Sequence, residues 1–278
     1  EPKINVLEGS AYIDFPVNRT EIHENYRRNP AELQKILNTI DAVKNDVDTR
    51  IISVSIKGYA SPESPYSNNE RLAMGRTKTL KEYVRKQYDF ADSLFITDYE
   101  PEDWAGLERY VENSYLENKA GILALIRSNQ EPDAKERSIK TAFPKDYAFL
   151  LKEVYPGLRH SDYAVKYEVR TYTDINEIKR LIKTQPQKLS LNEMYLAAQD
   201  MKLGSEEYNV AVRMFPDDEV ANLNAANAAM ARGDMKNAEY YLKKAGNSPQ
   251  AVYGRGTYAA LKKEFDMAEK MFTEAAHR

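Results

Sequence analysis

The chain has 278 residues, 42% of them hydrophobic and 30% charged, with 40 Lys and Arg against 43 Asp and Glu. This is enough apolar material for packed cores and too much for a disordered chain, and the length favours two domains. The near-balance of charge, -3 overall, excludes the basic footprint of a nucleic-acid-binding protein, and neither half carries a polybasic tail.

The chain contains no cysteine, which excludes disulfide scaffolds, thiol catalysis, iron–sulfur ligation and Cys-based zinc sites. His23, His160 and His277 lie far apart and form no metal-ligand spacing, so no metal and no cofactor is expected. No apolar run approaches the roughly 18 residues of a membrane helix. The chain opens on Glu1-Pro2 rather than Met, and an upstream segment, an export signal among the candidates, is expected to have been removed.

In residues 12–17, Ile13, Phe15 and Val17 alternate with Tyr12, Asp14 and Pro16, which predicts a strand with Pro16 near an edge. Asn29 is placed as an N-cap, with Pro30 at the first helical position and Glu32 completing a capping box. Leu33, Ile36, Leu37, Ile40 and Val43 form the stripe of that helix. Residues 50–57 put Ile52, Val54 and Ile56 on one face of a second strand. A loop from Gly58 leads into a helix over Glu70–Tyr88.

Asn69, Leu72, Arg76 and Leu80 share one stripe of this helix. Side chains lean toward a helix N-terminus, so Asn69 and Arg76 are expected to point at the loop after Gly58. Arg76 then either caps loop carbonyls or binds an anionic ligand.

A third strand starts at Leu94-Phe95-Ile96. Helical spacing follows at Trp104, Leu107, Tyr110 and Val111, at Ile122 to Ile126, and at Tyr147 to Val154. Tyr163, Val165, Tyr167 and Val169 alternate as a closing strand, preceded by Arg159 and His160; His160 is expected at a strand end rather than as a ligand.

From Asp174 onward the spacing is helical, with capping boxes at Asp174/Glu177 and Ser190/Glu193. Gly204, Ala238 and Ala268 are followed four residues on by Tyr208, Leu242 and Phe272, and then by Ala211, Ala245 and Ala275. Ala226 and Gly256 are small residues on the preceding helices. Such small and bulky positions let helices approach and interlock. The pattern resembles tetratricopeptide repeats, which implies a partner-binding face.

Gly58-Tyr59-Ala60-Ser61, then Asn69, Leu72 and Arg76, resemble the OmpA-like peptidoglycan-associating domain. The resemblance implies that Arg76 takes the carboxylate of diaminopimelate in the stem peptide, with an Asp taking its ammonium. Here Ser61 stands at the Asp position, Ser64 at the loop glycine, Ala60 at a Thr and Ala73 at a Ser. Glu63 is the nearest carboxylate that could replace the Asp, and Ser61→Asp is expected to restore diaminopimelate binding. Stretches from Ala11 to Ala226 also resemble exported OmpA-like proteins of Bacteroides-type bacteria, which implies a C-terminal portion of such a protein.

The fold class expected is therefore α+β. Residues 1–173 form an OmpA-like βαβαβ…β sandwich with a helical insertion at about 100–158, and 174–278 an all-α repeat domain of tetratricopeptide type. The resemblance implies a non-enzymatic envelope protein, periplasmic or outer-membrane associated, with peptidoglycan and a protein partner as ligands. The ligand residues it implies are Arg76, Asn69, Ser61 and Glu63. The alternative is a degenerate OmpA-like scaffold in surface-protein assembly. The twenty tyrosines fall mostly at core spacing, which disfavours a carbohydrate platform.

Overall fold

The structure, a computed structural model, describes residues 1–199 and 206–278. It divides into two compact units, Pro2–Val169 and Arg170–Arg278, the second also taking in Glu1.

The first unit is mixed α/β. In chain order it contains β1 (Lys3–Ala11), α1 (Asn29–Lys44), β2 (Thr49–Tyr59), α2 (Tyr66–Tyr88) and β3 (Phe95–Glu100). Helices α3 (Trp104–Glu112), α4 (Lys119–Ile126), α5 (Pro132–Ala142), α6 (Pro144–Phe149) and α7 (Tyr155–Leu158) precede the last strand, β4 (Ser161–Val169). The sheet order is β1-β4-β2-β3. β2 and β3 are parallel, and β4 runs antiparallel to β1 and β2.

Ile36 and Ile40 of α1 and Leu80 and Val84 of α2 share one core with Val54, Ile56, Tyr163 and Val165 of the sheet. Each such aliphatic side chain contributes about 1.5–3 kcal/mol on full burial. α2 lies close because Gly58 has no Cβ: an added one would collide with Thr77 Oγ1 and come within 3.2 Å of Ala73 O.

Three local expectations are corrected. The first strand is Lys3–Ala11, not 12–17. Its partner β4 begins at Ser161, opposite Ala11, so the ladder ends there. Beyond it, side chains of α1 take the backbone bonds. Tyr12 N–H donates to Glu32 Oε2 (3.1 Å), and Asp14 N–H donates to Asn29 Oδ1 (2.6 Å). Asn29 Nδ2 donates back to Asp14 O (2.9 Å) and His23 O (2.8 Å). Asn29 is accordingly the first residue of α1 and fully buried, not its N-cap. In β2 a register shift between Ile51 and Ser53 inserts Ile52, so Ile51 joins Val54 and Ile56 against the core in its place.

The segment between β3 and β4 has its own core, with Leu107, Val111, Ile122, Ile139, Leu150 and Tyr155 all fully buried. α5, absent from the sequence reading, buries only Ile139, so it shows little apolar stripe. The helical spacing at Tyr147–Val154 belongs to α6 and a wide π-turn, Leu150–Val154, which runs into α7. Pro156 lacks the N–H that an ordinary helical ladder needs there.

The second unit is helical among the described residues: α8 (Ile175–Thr184), α9 (Leu191–Gln199), α10 (Glu206–Met214), α11 (Glu219–Ala231), α12 (Met235–Leu242), α13 (Pro249–Leu261) and α14 (Phe265–Ala276). Ser190 and Glu193 form the reciprocal capping box, with Ser190 N–H donating to Glu193 Oε1 (2.8 Å) and Glu193 N–H to Ser190 Oγ (3.2 Å). Asp174 caps α8 alone, because Glu177 pairs with Arg170 instead. Asp218, Asp234 and Ser248 cap α11, α12 and α13.

Ala211, Ala226, Ala238, Ala245 and Ala268 are buried, and an added Cβ on Gly256 would press on Phe272 at 2.7 Å. Gly204 lies outside the described residues. Gly233, before α12, has φ +77°, and Lys263 holds the equivalent place before α14 at φ +64°.

A side chain other than Gly is strained in that conformation. Lys263→Gly is expected to raise stability by about 0.5–1 kcal/mol in urea denaturation. Tyr172 is 1% exposed, and its N–H donates to the buried Glu193 carboxylate at 2.6 Å. A helical fragment beginning at Arg170 should therefore outlast one beginning at Asp174. Losing this aromatic anchor is expected to cost about 3–5 kcal/mol by circular-dichroism melts.

Candidate anion-binding cleft

β1 and β2 end, and β4 begins, at the same edge of the sheet, where Ala11 and Gly58 both face Ser161. Above this edge lies a cleft of about 340 Å³. Its walls are the 12–28 loop, the loop after β2, the first turns of α2, and Pro156 and Arg159 before β4. All four residues expected at a ligand site, Ser61, Glu63, Asn69 and Arg76, line it.

Their chemistry differs. Asn69 is buried, and its Nδ2 donates to Ser64 O (2.8 Å) and Glu102 Oε2 (2.6 Å). Glu102 also accepts from Trp104 Nε1 (3.0 Å), and burial pushes its carboxyl up despite both bonds. Asn69 therefore ties α2 to the loop and to the start of the helical segment. Ser61 is buried, and its Oγ accepts from Arg159 Nε (3.0 Å); Glu63 is ion-paired to Arg159 Nη2.

Arg76 is half-buried over the Phe15 ring (4.8 Å), and its Nε donates to Arg19 O (3.1 Å). The loop it reaches is 12–28, not the one after Gly58, and it does not pair with Glu63. Among the described residues its terminal nitrogens have no hydrogen-bond partner and it forms no ion pair. Burial, and then the charges of Arg159 and Arg71, push its pKa down to about 10, against the pull of Glu63. It stays charged at neutral pH.

Arg27, Arg28 and Arg159 also line the cleft, so four guanidinium groups face two carboxylates, Asp14 and Glu63. Arg28 pairs with Asp14 (3.0 and 3.3 Å). The arrangement can bind an anion through Arg76, a bidentate donor in a partly desolvated setting. Arg159 was visible in the sequence only as a basic residue before the closing strand. Arg27 and Arg28 carry no signal in the sequence, because the alternation at 12–17 predicts a strand where the loop runs. The position of Arg159 also revises the expectation for Ser61→Asp: the new carboxylate would lie against Arg159 rather than free for an ammonium.

His160 does stand at a strand end, but it is not a free surface residue. Its Nε2 meets Asp103 Oδ2 (2.8 Å), its Nδ1 meets Asp162 Oδ1 (2.7 Å), and its ring stacks on Tyr59 at 4.2 Å. Asp103 in turn caps α3 by accepting from Gly106 N–H (3.0 Å). Compared with models of known protein families and with curated protein sequences, the chain matches none.

Burial disfavours the imidazolium of His160, but the two aspartates outweigh it and raise its pKa above the ordinary 6.5. A raised folded pKa means that the stabilisation is complete below 6.5 and fades as pH climbs through the folded value. Denaturation midpoints should thus fall, as pH rises above 6.5, more in the native chain than in His160→Asn. Equal slopes for the two would show that the aspartates do not hold the charged ring.

Proposed function

We propose that the chain is a non-enzymatic cell-envelope protein whose first unit is an OmpA-like domain. In this reading it associates with peptidoglycan through Arg76, and its second unit, of tetratricopeptide type, holds a protein partner. The observation that carries the reading is the Arg76 guanidinium, half-buried in a concave site with its terminal donors unclaimed. A charge in that setting is retained at a cost unless a ligand meets it.

The order β1–α1–β2–α2–β3, with β4 returning to the centre of the sheet, supports the OmpA-like reading. The paired helices with buried small residues support the repeat reading. In the second unit a groove of about 910 Å³, lined by Leu223, Met230, Tyr253, Leu261 and Phe272, offers an apolar face for a partner. No helix among the described residues is long and apolar enough to cross a membrane. An envelope address is proposed on the resemblance alone.

The alternative, a scaffold in surface-protein assembly without peptidoglycan binding, is favoured by one contact, the guanidinium of Arg159 on Ser61.

Sedimentation with insoluble peptidoglycan separates the two readings. The native chain is expected to co-sediment and Arg76→Ala to stay in the supernatant. Among the described residues Arg76 has no ion pair to break, so its loss should cost only its bond to Arg19 and its contact over Phe15, about 1–2 kcal/mol, and leave the chain folded. A native chain that stays in solution would leave the scaffold reading.

A further inference from the structure

The sign and pairing of the charges in the cleft restrict what its ligand can carry. This inference rests on the reading of the cleft as a ligand site and narrows it: of the carboxylates a peptidoglycan stem can offer, the cleft would take those with an amide rather than a free ammonium beside them. Both of its carboxylates are already matched, Asp14 by Arg28 and Glu63 by Arg159. The buried Ser61 Oγ is directed at Arg159 Nε as well, at 3.0 Å. Arg27 and Arg76 have no carboxylate partner among the described residues; Arg27 lies over Tyr26 and Arg76 over Phe15.

A carboxylate entering beside Arg76 therefore meets unclaimed N–H donors. An ammonium entering on the same carbon meets guanidinium groups and no free carboxylate. The nearest one, Glu63, is already engaged by Arg159 through Oε2, so the ammonium would have to share or displace that guanidinium. Like charges brought together at a binding site discriminate against the wrong ligand, which is how repulsion produces selectivity.

We propose that the cleft selects a carboxylate with no free ammonium beside it, and that Arg159 is the residue that sets this preference. Arg159 occupies the polar end of the cleft, against Ser61 and Glu63, where a cationic ligand group would otherwise be received. Removing its side chain frees Glu63 and Ser61 together and changes the local charge by one unit at the place where the two ligand classes differ.

Pimelate and meso-diaminopimelate test this directly. They share a seven-carbon skeleton and two carboxylates, and they differ by two ammonium groups. Calorimetric titration of the full chain at low salt is expected to show pimelate binding at least about tenfold more tightly. Arg159→Ala should bring the ratio to one or invert it, whereas Arg159→Lys, which keeps the charge, should preserve the preference. Arg76→Ala should abolish binding of both.

Diaminopimelate binding as tightly as pimelate in the native chain, with both lost in Arg76→Ala, would overturn the preference and leave the site reading intact. Binding of neither compound, or binding indifferent to Arg76→Ala, would overturn the site reading and the preference together. An unchanged ratio in a folded Arg159→Ala would remove Arg159 from its role. The native comparison of the two ligands stands whether or not that variant folds.

Discussion

The guanidinium of Arg159 lies on Ser61 Oγ and beside Glu63, and that contact decides which groups of the cleft are left without a partner. Its position is fixed by the sheet rather than by the cleft. β4 is hydrogen-bonded on both sides, with Ser161 opposite Ala11 on one flank and Gly58 on the other. His160 O accepts from Tyr59 N–H at 2.8 Å, which extends the register by one step. A register slip of one residue would reverse every side chain of β4, so the strand start is strongly specified by the buried Tyr163 and Val165. Arg159, two residues before Ser161, inherits that precision.

The wall opposite is built from polar contacts. α2 holds the 18–20 segment through Arg71 to Asn18 O (3.3 Å), Arg76 to Arg19 O (3.1 Å) and Thr79 to Thr20 O (2.7 Å). Asn29 and Glu32 of α1 hold residues 12–14. Arg76 therefore has two aspects at once. Its Nε belongs to the strap, and its far edge belongs to the cleft. One bond suffices to orient the guanidinium over Phe15 without neutralising it, and this is what distinguishes it from Arg28 and Arg159, whose charges are matched by carboxylates. Preorganised donors in a partly desolvated site bind more strongly than the same donors in water, because the attraction is less screened and little reordering is needed.

Much of the architecture was legible in the sequence. Strand alternation at Tyr163 to Val169, the long stripe of α2 and the cap at Ser190 all act locally, through neighbours a few residues away. What escaped was set by distant partners. Residues 12–17 alternate like a strand, but β4 has no residue left to pair with them, and the side chains of α1 supply the hydrogen bonds instead. The bulge at Ile52 is a feature of the pairing with β4, invisible in the alternation of β2 alone. The site was partly legible: Arg76 and Asn69 stood out as polar residues on an inward stripe. Their roles did not, because the partners of Asn69 and Ser61, namely Glu102 and Arg159, come from 33 and 98 residues further along the chain.

The second unit shows the opposite balance of polar and apolar groups. Four of its helix starts are capped by Ser190, Asp218, Asp234 and Ser248, each accepting a backbone N–H of the first turn. α11 is buried nearly all round, with Ala221, Ala225, Ala226, Ala228 and Ala229 at full burial, which suits a helix packed between neighbours. Its groove exposes apolar side chains: Tyr253 and Leu261 are each more than half exposed. Exposed apolar surface gathered along a groove favours association with another apolar surface, since removing it from water is the main gain available there. In the first unit the unclaimed groups are cationic donors in a concave polar site, where an anion is the matching chemistry. In the proposed reading the two units would meet their ligands by different forces: charge and hydrogen bonding in one, water exclusion in the other. High salt should weaken the first far more than the second, because screening acts on the guanidinium groups and leaves apolar burial nearly untouched.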